Sequence, residues 1–123
     1  MVKLRDKSKD NLVLIKALDF DKDLIKVVEI LRQKRWYCLS DQIFKSGTSI
    51  GANLFEAQNA QSPKDFLSKC KIAAKESDET YYWLLVLEMT GFSEEAELLE
   101  GKLDELSRIL NSIVATTTRR FKN

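Results

Sequence analysis

Ser62-Pro63-Lys64-Asp65-Phe66 contains the only proline among 123 residues, and it reads as the first turn of a helix. Ser62 is an N-cap residue, and Pro63 takes the first helical position, where its missing N–H is not needed. Asp65, three residues after the cap, reproduces a capping box with Asp in place of the commoner Glu. The helix opened here is predicted to run to about Thr90 and to stop at Gly91. A glycine adopts positive φ without strain, and Phe92 is placed to touch Leu87 as a Schellman motif requires. Ser93 then caps a following helix, whose first turn carries Glu94, Glu95 and Glu97 against the positive end of the helix dipole.

Two more of the four glycines fall upstream, inside a helix predicted over about 37–59 with core positions Leu39, Ile43, Ile50, Leu54 and Ala57. Gly47 and Gly51 lie four apart on one face, and each costs a helix about 1 kcal/mol relative to Ala. Close approach of a neighbouring helix backbone is the expected compensation. Before it, helical spacing of Leu14, Leu18 and Ile25, and of Phe20, Leu24, Val27, Val28 and Leu31, predicts a first helix over about 11–34. Asp19, Asp21 and Asp23 interrupt that run, so its start is either Asn11 or near Asp19. The last helix, about 94–115, carries Leu98, Leu99, Leu103, Leu106, Leu110, Ile113 and Val114, with Thr116–Asn123 expected to fray. A mixed-charge leader (Lys3, Arg5, Lys7, Lys9) precedes the first helix.

Four helices joined by connections of a few residues predict an all-α domain spanning 1–123, an antiparallel up-down-up-down four-helix bundle. No strand-length alternation competes, and no internal repeat is visible. The composition, 44% hydrophobic and 32% charged with net charge +1, is globular and supplies no global field toward nucleic acid or anionic membrane. No signal peptide or membrane span is read, which places the chain in the cytoplasm by default. Cys38 and Cys70 are expected to be buried, reduced thiols rather than a disulfide, and one pair does not make a zinc site.

Tyr81-Tyr82-Trp83-Leu84-Leu85-Val86-Leu87 is apolar or aromatic throughout, and at about 100° per residue it covers a full helix circumference. A single bundle core absorbs only one side of it. The remainder is expected to lie between subunits of a homo-oligomer, with Tyr81, Tyr82, Trp83 and Val86 at the interface; half-exposure in a monomer is the plainer alternative.

The absence of histidine removes the imidazole base of hydrolase triads and the Glu-x-x-His ligand sets of di-iron bundles. Glu56, Glu76 and Glu79 are the available carboxylates for a metal cage or an unrecognised carboxylate site, although Glu76 is more simply a partner for Lys71 or Lys75. No catalytic, cofactor, metal or small-molecule site is expected. A nucleic-acid surface would use Lys64, Lys69, Lys71 and Lys75 on the third helix with Arg32, Lys34, Arg35, Arg119, Arg120 and Lys122. A solvated lysine face is the competing reading, and the acidic stretch 94–105 opposes phosphate.

Lys45-Ser46-Gly47-Thr48-Ser49-Ile50-Gly51-Ala52-Asn53-Leu54-Phe55-Glu56-Ala57, followed by Asp65-Phe66, Ile72-Ala73, Lys75-Glu76 and Glu79-Thr80-Tyr81-Tyr82-Trp83-Leu84, resembles a bacterial four-helix bundle family. It is the family named after the S23 protein encoded in 23S rRNA intervening sequences. The resemblance implies a homopentamer of four-helix protomers with no enzymatic activity and no settled cellular role. A related branch, the accessory variability determinants of diversity-generating retroelements, implies binding of a reverse transcriptase and nucleic acid through a basic surface, from which the near-neutral charge here departs. The resemblance also marks Asn53, Glu56 and Glu79 as a structural polar network that sets helix register. The leading expectation is a non-enzymatic, homo-oligomeric assembly or scaffold subunit. The alternative is a nucleic-acid-binding adaptor.

Overall fold

The structure is a computed structural model that describes residues 11–122, with side chains to Phe121. The charged leader and Asn123 lie outside the described residues. Among those residues the chain forms four helices and no strand: α1 (Leu12–Gln33), α2 (Tyr37–Ala57), α3 (Pro63–Met89) and α4 (Ser93–Lys122).

Each boundary has a local cause. The Asn11 side chain accepts from the Leu14 amide at 3.2 Å, so α1 begins ahead of the three aspartates. At α3, Ser62 Oγ accepts from the Asp65 amide at 3.1 Å. The Asp65 carboxylate reaches back one residue further than a capping box requires, to the Gln61 amide at 3.1 Å. Gly91 has φ 94°, and the Phe92 amide donates to Leu87 O at 2.8 Å, closing α3 in a Schellman turn. The same turn ends α1 without a glycine: Arg35 has φ 67°, and the Trp36 amide donates to Leu31 O at 2.9 Å. Trp36 packs edge-on against Phe92 with ring centroids 5.3 Å apart, so the first and third connections meet at one end.

Helices consecutive in sequence pack side by side, and α1 closes the bundle against α4 more lightly. One core joins Phe20, Leu24 and Leu31 of α1 to Ile43, Ile50 and Leu54 of α2, Leu84 and Leu87 of α3, and Leu99, Leu103, Leu106 and Leu110 of α4. The α1–α4 seam is reinforced at its surface by Lys102, whose ammonium lies 2.8 Å from Asp19 and 2.6 Å from Asp23, and by Lys16 with Glu105.

Several residues expected inside are not. Leu18, Ile25 and Leu98 are exposed, because the buried stripes of α1 and α4 pass one position to their side. Cys38 is exposed while Cys70 is buried; Cys38 lies two residues, about 200° of helix, from the buried Ser40–Ile43 stripe. The segment expected to fray continues α4 to Lys122. Thr117 is buried, and Ile113, Thr116, Thr117 and Arg120 line a cleft with Phe66, so the tail packs on the first turns of α3. Its Thr-Thr-Thr-Arg-Arg composition conceals that partner.

Candidate functional site

Helix α3 turns its apolar run both ways. Leu84 and Leu87 enter the core and Trp83 packs partly against it, with its indole N–H 3.3 Å from Glu79. Val86 is half-buried. Tyr81, Tyr82, Leu85 and Met89 remain outside, Tyr82 with 57% and Met89 with 78% of their surfaces exposed. Tyr82 stacks edge-on against Trp83 at 5.1 Å and leaves its other faces to solvent. Tyr81 also lines a cleft against α4 with Ser77, Asp78, Asp104 and Ser107.

Gly47 and Gly51 sit where α1 crosses α2. A Cβ on Gly47 would fall 2.4 Å from Leu24 Cδ2, and one on Gly51 would fall 3.3 Å from the Ala17 Cβ. The neighbour admitted by these glycines is thus the side-chain layer of α1. Beside Gly51 the two helices border a groove of about 510 Å³, lined by Leu14, Leu18, Asp21, Thr48, Ala52, Phe55 and Glu56. Burial pushes the Asp21 carboxyl up to about 7, since nothing nearby repays the lost hydration of its charged form. Its Oδ1 is buried and has no hydrogen-bond partner among the described residues. Sequence reading missed this site. The available signal was the 14-18-21-25 spacing, which sets Asp21 on an apolar stripe opposite a glycine.

Among the described residues no hydrogen bond or ion pair links the polar candidates to one another. Asn53 donates to Ser49 O on its own helix at 2.8 Å. Glu56 is exposed and 3.9 Å from Lys69. Glu79 is exposed beside Trp83. The buried polar link between α2 and α3 is instead Ser46–Thr80, hydroxyl to hydroxyl at 2.9 Å, with Thr80 also 2.7 Å from Glu76 O. Burial, then repulsion from Glu79, raises the Glu76 carboxyl. Among the described residues no group of three or more His, Cys, Asp or Glu is placed to hold a metal, and no helix is long and apolar enough to cross a membrane.

The basic candidates divide. Lys64, Lys71 and Lys75 are exposed on α3, whereas Lys69 is half-buried beside Glu56. Arg119 and Arg120 are exposed on the last turns of α4, and Arg120 lines a cleft with Phe66. Arg32 pairs with Asp41 at 3.2 Å and lies over Tyr37, while Lys34 lies over Phe92, beyond the opposite end of α3. Lys122 has no described side chain.

A comparison with curated proteins finds no match. Among solved structures, the chain is similar to a protein with unknown function from the S23 ribosomal protein family of Bacteroides thetaiotaomicron. The two share 39% identity and a TM-score of 0.79 over 83% of this chain and 97% of that one. The model of the 23S rRNA-intervening sequence protein family matches residues 9–112. With that match covering most of the helical core and the glycine-bearing α2, the chain belongs to the 23S rRNA-intervening sequence protein family.

Proposed function

We propose that this protein is a non-enzymatic, homo-oligomeric assembly or scaffold subunit of the cytoplasm, an antiparallel up-down-up-down bundle that buries its surplus apolar surface against further copies of itself. One observation carries the reading: Tyr81, Tyr82, Leu85 and Met89 all stand exposed on one helix, a patch that soluble monomers rarely keep. Supporting the antiparallel course, Ser46 pairs with Thr80 and Glu56 with Lys69, so position rises on α2 as it falls on α3. Five is the copy number that the family resemblance implies. Sedimentation equilibrium is expected to return a mass near five times the 14.2 kDa protomer, and Tyr82→Glu is expected to dissociate it with helicity retained. A wild-type monomer at micromolar concentration would overturn the assembly reading.

A nucleic-acid-binding adaptor is the second reading, favoured by the meeting of Arg120 with Phe66 at the end of α3 that carries Lys64. It predicts binding to RNA or DNA that falls steeply with salt. No binding at low salt, or binding indifferent to salt, excludes it.

A further inference from the structure

The groove between α1 and α2 holds an unanswered acid. Among the described residues Asp21 Oδ1 is buried without a donor, and none of those that line the groove is basic. Its only other charged group, Glu56, already faces Lys69 at 3.9 Å. The walls are otherwise apolar apart from the Thr48 hydroxyl. A carboxyl with one oxygen withdrawn from water and no hydrogen bond is destabilising, and a cationic donor arriving in the groove would recover part of that loss through the other oxygen.

The chain carries the complementary surface on another face. Lys71, Ile72 and Lys75 are exposed on α3. Neither lysine forms an ion pair among the described residues, Lys75 acting only at longer range on Glu76. Lys71 and Lys75 are four apart and Ile72 is three before Lys75, so Ile72 stands as an apolar knob with both ammonium groups along one side of it. Lysine stems can lie along apolar walls while the charged head reaches an acid. Because groove and knob lie on different helices, contact between them joins unlike surfaces of two copies. Made once per pair of copies, such a contact runs head to tail and closes a ring where the rotation allows.

We propose that the α1–α2 groove of one protomer receives the Lys71–Ile72–Lys75 stripe of the next copy, with Ile72 seated between Leu18 and Phe55 and a lysine ammonium donating to Asp21. The inference rests on the homo-oligomer reading and assigns these lysines to assembly. Charge reversal tests it by sedimentation velocity. Asp21→Lys alone and Lys71→Glu with Lys75→Glu are each expected to weaken association about tenfold or more, and the three changes together to restore much of it. Asp21→Asn, a milder change that keeps the side chain's size, is expected to weaken assembly with helicity intact, and it carries the test if Asp21→Lys does not fold. An assembled wild type whose mass is unchanged by these substitutions, or a combined variant no better than the worse parent, overturns the groove inference and leaves the assembly reading standing. A monomeric wild type removes both.

Discussion

Asp21 and Gly51 face each other where α1 meets α2, with the Asp21 Oδ2 only 3.4 Å from the position a Cβ on Gly51 would take. The glycine leaves room for a carboxyl group, while the packing closes its Oδ1 to water and, among the described residues, leaves that oxygen without a donor. The pH behaviour of the protomer follows. Asp21 binds its proton up to about 7 in the folded chain, against 3.8 for the ordinary group. Between those values the folded state holds more protons than the unfolded state, so stability falls as pH rises and then levels off. Partial solvent access reduces the effect to about 1–2 kcal/mol. Urea unfolding from pH 4 to 8, on protein dilute enough to sediment as a protomer, is expected to show that decline, and Asp21→Asn to abolish most of it.

Gly47 is the tighter of the two glycine seats. A methyl there meets Cδ2, Cδ1 and Cγ of Leu24 within 3.4 Å, and Leu24 is fully buried. A helix propensity gain of about 1 kcal/mol is set against overpacking of about 1–3 kcal/mol. Gly47→Ala is therefore expected to lower the denaturation midpoint. Gly51→Ala meets only contacts of 3.3 and 3.4 Å, so its thermal shift should be smaller. The reverse order would refute this account of the notch.

Arg35 and Gly91 end α1 and α3 in the same left-handed conformation, with φ 67° and 94°. A side chain there costs about 1–2 kcal/mol of backbone strain. Arg35→Gly is expected to stabilise the fold by up to about 1 kcal/mol, since freedom gained by the unfolded chain offsets part of the relief. Gly91→Ala is expected to destabilise it by about 1 kcal/mol through conformation alone, because an added Cβ meets nothing within 4 Å. Chemical denaturation of the two variants checks both signs.

Ser46 and Thr80 form the buried hydroxyl pair between α2 and α3. Thr80→Val keeps the shape but leaves the Ser46 hydroxyl without its partner, at a cost of about 1–3 kcal/mol. Adding Ser46→Ala removes the orphan. The double variant is expected to be less destabilised than the sum of the singles, a coupling of about 0.5–1.5 kcal/mol by double-mutant cycle.

What could be read in the sequence depended on how local its cause was. Ser62-Pro63, Gly91-Phe92 and the glutamates after Ser93 act within one helical turn, so the limits of α3 and the start of α4 stand in the residues themselves. Arg35 ends α1 in a conformation that glycine normally marks, and no local signal announces it. Leu14 and Leu18 have equal apolar character, yet Leu14 is buried and Leu18 exposed; periodicity defines a stripe to within about one position, and the neighbouring helix chooses its centre.

The candidate site divides in the same way. Tyr81 to Leu87 announced surplus apolar surface because seven consecutive residues must encircle a helix, whatever they pack against. Their apportioning, Leu84 and Leu87 inward with Tyr82 and Leu85 outward, required the placement of α2 and α4. Asn53, Glu56 and Glu79 are polar residues on helical faces, and only tertiary packing decides whether such groups meet; among the described residues no hydrogen bond or ion pair joins them. The sequence by itself determined four helices, their main punctuation and an apolar excess, since those follow from backbone sterics and composition. Tertiary structure alone buried Asp21 Oδ1 away from any donor among the described residues and opened the groove beside it, because desolvation and partnership belong to surfaces brought together from distant parts of the chain.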